Sequence, residues 1–87
     1  MTTKAEKLHM SRVSDLGCII CQSPAEIHHR RSGQGHKRAS HFEVIPLCHR
    51  HHRTGNIGVA IHAGIKSFEA NFGTELSLLE KTRELLA

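Results

Sequence analysis

The sequence predicts a small α+β domain assembled around a metal, on three observations. Two short strand candidates, residues 26–29 and 43–47, lie between helical segments at the two ends of the chain. Three cysteines and a histidine fall into two pairs at metal-ligand spacing, Cys18-Ile-Ile-Cys21 and Cys48-His-Arg-His51. The chain has 87 residues, enough for one domain, 1–87, with a limited core. Trp and Tyr are absent and Phe occurs 3 times, so a metal is a natural staple for so lean an interior.

Each element has its own signal. Residues 3–16 read as a helix with a loose apolar stripe of Ala5, Leu8, Val13 and Leu16, stopped by Gly17. The metal segment runs from about residue 18 to 64. Its two strand candidates are separated by Ser32-Gly33-Gln34-Gly35, a flexible loop, and a short helix starts near Cys48. Further on, Ile65, Phe68 and Phe72 fall at helical spacing before Gly73. Thr74 can cap a last helix carrying Leu76, Leu79 and Leu86. The apolar stripes of these helices are expected to wrap the metal segment as core.

Composition excludes several classes. No apolar run approaches the roughly 18 residues of a membrane span. The polar start, Met1-Thr-Thr-Lys-Ala-Glu, has no secretory apolar stretch. Three cysteines cannot all pair within one chain, so a disulfide framework is a poor reading and a cytosolic location is expected. The net charge is +4, and its placement says more than its size. Arg30, Arg31, Lys37, Arg38, Arg50 and Arg53 face a single acid, Glu43, over the stretch that also holds most of the histidines. A basic stretch laid over a metal motif points to a bound polyanion.

Zinc takes four ligands in a tetrahedron, and thiolate and imidazole suit it. Cys18, Cys21, Cys48 and His51 supply that set. The competing reading, buried cysteines acting as small hydrophobes, leaves the repeated spacing unexplained. His52 must then turn elsewhere, because adjacent residues on a helix do not share a face. His28 and His29 are adjacent at a strand end, where one can face a cleft and the other support it. Two histidine pairs plus His62 can hold a divalent cation and offer a neutral imidazole as general base. Phosphodiester hydrolysis needs both parts.

These residues carry a family resemblance. The order Cys-x-x-Cys, His-His, Pro-Leu-Cys-x-x-His-His resembles the HNH endonucleases, whose core is a beta-beta-alpha metal (His-Me finger) motif. More narrowly the chain is similar to the phage recombination-enhancing nucleases of the Ref type. The phrases that carry this are Pro24-Ala25-Glu26-Ile27-His28-His29, Ile45-Pro46-Leu47-Cys48 through His51-His52-Arg53, Gly58-Val59-Ala60-Ile61-His62-Ala63-Gly64, Ser67-Phe68-Glu69 and Asn71-Phe72-Gly73-Thr74-Glu75. They cover about residues 10–87.

The resemblance implies a zinc-stabilised HNH core flanked by helices. In it, His29 is the general base, His28 binds or orients the catalytic cation, and His52 ligates it. His62 is a metal or phosphate contact, and Cys18, Cys21, Cys48 and His51 are the structural zinc site. The Asn that names the HNH motif is replaced; Ser40 or His41 stands in about its place. His36 and His49 match no part of the pattern. The Ref proteins also carry a long basic segment ahead of this domain, and their cleavage depends on a recombinase filament on DNA.

The resulting expectation is a DNA endonuclease with structural Zn²⁺ and catalytic Mg²⁺ or another divalent cation. Its expected partners are DNA and, as the resemblance implies, a recombinase filament, with no membrane. Arg30, Arg31, Lys37, Arg38 and Arg53 would contact phosphates, which position the backbone without reading sequence. The alternatives are a non-catalytic zinc module binding nucleic acid or protein, and an RNA nuclease.

Overall fold

A computed structural model describes residues 2–31 and 39–87. The Ser32–Gly35 loop candidate, His36, Lys37 and Arg38 lie outside the described residues. The order is helix α1 (Lys4–Asp15), strand β1 (Glu26–His29), strand β2 (Val44–Leu47), a π-helical turn over Arg50–Thr54, a 3-10 turn over Ile61–Ala63, and helices α2 (Ile65–Phe72) and α3 (Glu75–Leu86). It is a small α+β arrangement of one two-stranded sheet and flanking helices. No described helix is long and apolar enough to cross a membrane.

Helix α1 begins with a capping box. Thr3 Oγ1 accepts from the Glu6 amide at 3.1 Å, and Glu6 Oε1 accepts from the Thr3 amide at 2.8 Å. The expected stripe is out of phase: Leu8 is 63 % exposed, while Val13 is fully buried. The face turned inward runs through His9, Met10 and Val13, one position round the helix from Ala5 and Leu8. Chain direction then reverses at Gly17, whose φ is +78°. A Cβ there would stand 2.7 Å from the Gln22 carbonyl oxygen, so glycine is what allows the Cys18–Cys21 loop to close on itself.

The strands pair antiparallel, with Glu26 opposite Leu47, Ile27 opposite Pro46, His28 opposite Ile45 and His29 opposite Val44. Pro46 has no N–H to give, which an edge position tolerates. Its carbonyl accepts from the Ile19 amide at 2.9 Å and so docks the cysteine loop on β2. All of β2 is buried, as a strand covered on both faces should be.

The helix expected near Cys48 is only a turn and a half. It widens to an i→i−5 bond, Gly55 amide to Arg50 carbonyl at 3.0 Å. A Cβ on Gly55 would lie 2.5 Å from that same carbonyl oxygen, so the turn closes only on glycine. Helix α3 is capped by Thr74 Oγ1 on the Ser77 amide at 3.1 Å. Its buried face is Glu75, Leu78, Leu79 and Thr82, a clean i, i+3, i+4, i+7 set. The expected Leu76 instead points outward, 54 % exposed.

The core joins Cys18, Ile19, Ile45, Leu47, Cys48, Ile61, Phe68, Leu78 and Leu79, with Ile20, Ile65 and Phe72 against it. Two of the candidate zinc ligands, Cys18 and Cys48, are thus core residues. A helix cap contributes about 1 kcal/mol and a buried Phe about 1.5–3 kcal/mol. A structural zinc contributes on the order of 10 kcal/mol, so in a core this small the metal would outweigh any single packing contact.

Candidate functional site

The first cluster gathers Cys18, Cys21, Cys48 and His51, with their ligand atoms all within 4.8 Å of one another. The Cys21 and Cys48 sulfurs are 3.7 Å apart, far beyond a disulfide bond. His51 Nδ1 lies 3.7 Å from Cys18 Sγ, 3.7 Å from Cys21 Sγ and 3.2 Å from Cys48 Sγ. A tetrahedron with about 2.3 Å zinc–sulfur bonds has edges of about 3.8 Å. The four donors therefore have the chemistry and the spacing of a zinc site. Three supports hold it: the Ile20 amide donates to Cys18 Sγ at 3.4 Å, the Ser23 hydroxyl lies 3.4 Å from Cys21 Sγ, and Phe72 packs edge-on against His51 with ring centres 5.3 Å apart. Hydrogen bonding from the Ser23 side chain, then from its amide, pulls the Cys21 thiol down to about 7. Burial pushes the Cys18 thiol up.

The second cluster is His28, His52 and His62, again with one nitrogen from each within 4.8 Å. His28 is 2 % exposed and His52 12 %, whereas His62 is exposed, so the group opens outward at one end. The π-helical turn separates the two clusters: His51 faces the sulfurs and His52 faces the histidines. His62 rides on the 3-10 turn, held by buried Ile61 and by Asn71 Nδ2, which donates to the Gly58 carbonyl at 2.8 Å.

Carboxylates back this cluster. Glu26 and His28 are two apart on β1 and share a face. Glu26 Oε1 accepts from His52 Nδ1 at 2.8 Å, which turns His52 Nε2 toward His62 Nε2, 3.0 Å away. Glu75 Oε2 lies 2.7 Å from His28 Nε2. Arg31 Nη1 donates to His62 Nδ1 at 3.1 Å. Arg31, Ile61, His62 and Ile65 line an adjoining cleft of about 330 Å³. Burial, ahead of every other influence, holds His52 and His62 below the usual 6.5. Neutral imidazoles are what a metal ion binds.

Residues 2–87 match the family described as recombination enhancement, RecA-dependent nuclease. The chain belongs to that family. No curated protein matches the chain. The family description makes its members nucleases and ties them to RecA and to recombination. Nearly the whole chain is covered, so both clusters lie within the matched region.

The remaining candidates are distributed as follows. His29, out of phase with His28 on β1, meets His41 instead, with Nε2 and Nδ1 2.9 Å apart. Arg30 is held by Glu43 at 3.0 Å and Arg53 by Glu26 at 2.7 Å. The exposed His49 also reaches Glu26, at 3.1 Å. Lys37 and Arg38 lie outside the described residues. Glu26, Glu75 and the His29–His41 pairing are the groups that sequence reasoning did not assign. Glu26 had a signal, its i, i+2 spacing from His28; Glu75 closes one of the family phrases, which gave it no role.

Proposed function

We propose that the chain is a DNA phosphodiesterase of the HNH type. Zinc at Cys18, Cys21, Cys48 and His51 would hold the fold, and His28, His52 and His62 would hold a second, catalytic divalent cation. The observation that carries this is the second cluster: three imidazoles at ligand distance, separate from a complete Cys₃His set. A zinc module that only binds nucleic acid accounts for the first cluster and has no use for the second.

A cation at the three histidines would supply positive charge against a phosphate. The donor set is all nitrogen, which favours Zn²⁺, Ni²⁺ or Co²⁺; Mg²⁺ and Mn²⁺ both prefer oxygen, and of these two Mn²⁺ accepts imidazole more readily. His29 is assigned the general base. Its neutral ring would take the proton of the attacking water, and His41 fixes the ring's orientation through the 2.9 Å contact. His41 thereby stands where the HNH pattern has its asparagine.

Arg31 lines the cleft beside His62 and is the described arginine best placed for the phosphate backbone. Arg30 and Arg53 already have carboxylate partners and should contribute less. Lys37 and Arg38 complete the proposed basic contacts. Such contacts carry no sequence information, so target choice would come from a recombinase filament that pairs with the DNA.

The test is incubation of zinc-loaded protein with plasmid and single-stranded DNA, with Mn²⁺ or Mg²⁺, with and without a RecA filament. Cation-dependent cleavage lost in His29→Ala supports the reading. DNA binding without cleavage under every condition supports the zinc-module alternative.

A further inference from the structure

Glu75 is fully buried, and the proposed chemistry so far gives it no task. A carboxylate removed from water is costly unless its oxygens are well hydrogen-bonded. Its place as the first residue of α3 suits a negative charge. A helix start, however, would be served equally by a solvent-facing glutamate. Both Glu75 oxygens instead address the end of β1. Oε2 is 2.7 Å from His28 Nε2, and Oε1 and Oε2 are each 3.1 Å from the Arg31 amide nitrogen.

That geometry fixes a proton. The Arg31 amide donates to both Glu75 oxygens, as suits an ionised carboxylate; such a carboxylate only accepts, so the His28 Nε2 that faces it carries hydrogen. In the neutral ring the lone pair is then on Nδ1, the remaining nitrogen. The ring packs edge-to-face with His52 and His62, at centre distances of 5.3 and 5.2 Å. His52 is arranged on the same plan through the opposite atom: Glu26 takes Nδ1 and leaves Nε2. Two of the three imidazoles are therefore each backed by a carboxylate, from two elements far apart in the chain.

We propose that Glu75 is a positioning residue of the cation centre: it holds His28 in the Nε2–H tautomer and so makes Nδ1 the atom that binds the cation. This rests on the reading of His28, His52 and His62 as that centre. A carboxylate behind a metal-binding imidazole also tightens metal binding. Its bond to the Arg31 amide gives it a second, purely structural task, and the experiment must separate the two.

The protein is loaded with one zinc per chain to fill the thiolate site and then titrated with Mn²⁺. Glu75→Gln keeps an oxygen for the Arg31 amide but loses the charge. Its Mn²⁺ affinity should fall by about 10–100-fold, with the bound zinc retained and the melting temperature close to wild type. Glu75→Asp, which restores the carboxylate, should recover part of that loss. In the zinc-loaded wild type, the ¹⁵N resonances of His28 should show the Nε2–H form. Wild-type Mn²⁺ affinity in Glu75→Gln together with weakened binding in His28→Ala overturns the role of Glu75 alone. Wild-type affinity in both variants overturns the cation centre and the role with it. Should Glu75→Gln fail to fold, the tautomer decides: an Nδ1–H ring at His28 in the wild type rules the proposal out.

Discussion

His52 Nε2 and His62 Nε2 face each other at 3.0 Å, one from the π-helical turn over Arg50–Thr54 and the other from the 3-10 turn over Ile61–Ala63. Two imidazoles so close are unfavourable as two cations. Burial lowers both, and mutual repulsion with His28 lowers them further. The cluster thus presents neutral imidazoles at neutral pH, the form a cation would need.

A pH dependence follows from those directions. A histidine lowered from 6.5 in the folded chain binds fewer protons folded than unfolded once the pH drops below 6.5. Above 6.5 both states are neutral and the groups contribute nothing. Stability should therefore be flat from pH 8 to 7 and decline as pH falls from about 6.5 toward 5, with Mn²⁺ affinity declining in parallel. Thermal melts of zinc-loaded protein across that range check the first, and titrations the second. Stability that rises on acidification contradicts the assignment of His52 and His62 as neutral groups held below the usual 6.5.

The thiolate site should be inseparable from folding. Cys18 is 1 % exposed, and Cys48 sits in the same core as Leu47 and Phe68. Native protein should carry about one tightly held zinc from this site. Strong chelation should unfold it, seen as loss of helical circular dichroism. Cys18→Ser and Cys48→Ser should lose zinc and most of their stability. Cys21→Ser, at an exposed corner, should be the mildest of the three cysteine changes.

How much of this was legible from sequence depends on how local each signal is. The Cys18–Cys21 and Cys48–His51 pairs are three residues apart, and short-range spacing alone joins them. His28 and His29 separate onto opposite faces because strand alternation demands it. What failed was helical phase where apolar residues are sparse. In α1, Leu8 and Val13 suggested one stripe, and packing selected another through His9 and Met10. In α3, the buried set includes Glu75 and Thr82, polar residues no hydrophobic pattern would choose. Glu75 meets His28 across 47 residues of chain, and only the fold brings them together.

DNA binding should depend unequally on the arginines. Arg31 faces the cleft, whereas Arg53 is tied to Glu26 and Arg30 to Glu43. Arg31→Ala should weaken binding to all sequences alike. It should also reduce the slope of log affinity against log salt by about 0.7–0.9, one phosphate contact. Arg53→Ala should change that slope by less. Binding isotherms at several salt concentrations measure both. A larger slope change for Arg53 than for Arg31 would shift the proposed DNA path away from the cleft.

The catalytic assignment stands or falls on His29. Its ring is outside both clusters, so His29→Ala should leave zinc content, Mn²⁺ affinity and DNA binding near wild type. Cleavage should drop by about a hundredfold or more, the usual scale for a positioned base. His41→Ala leaves that base in place but unoriented, so its loss should be smaller. His52→Ala should differ in kind, because it removes a cation ligand and should reduce the response to added cation. His49→Ala, an exposed residue outside both clusters, is the control. In the wild type the rate should rise with pH through the imidazole range, since only the neutral ring accepts a proton. His29→Ala should lose that rise along with the activity. Wild-type cleavage by His29→Ala, in a preparation free of contaminating nuclease, would move the base elsewhere and leave His29 and His41 as a structural pair.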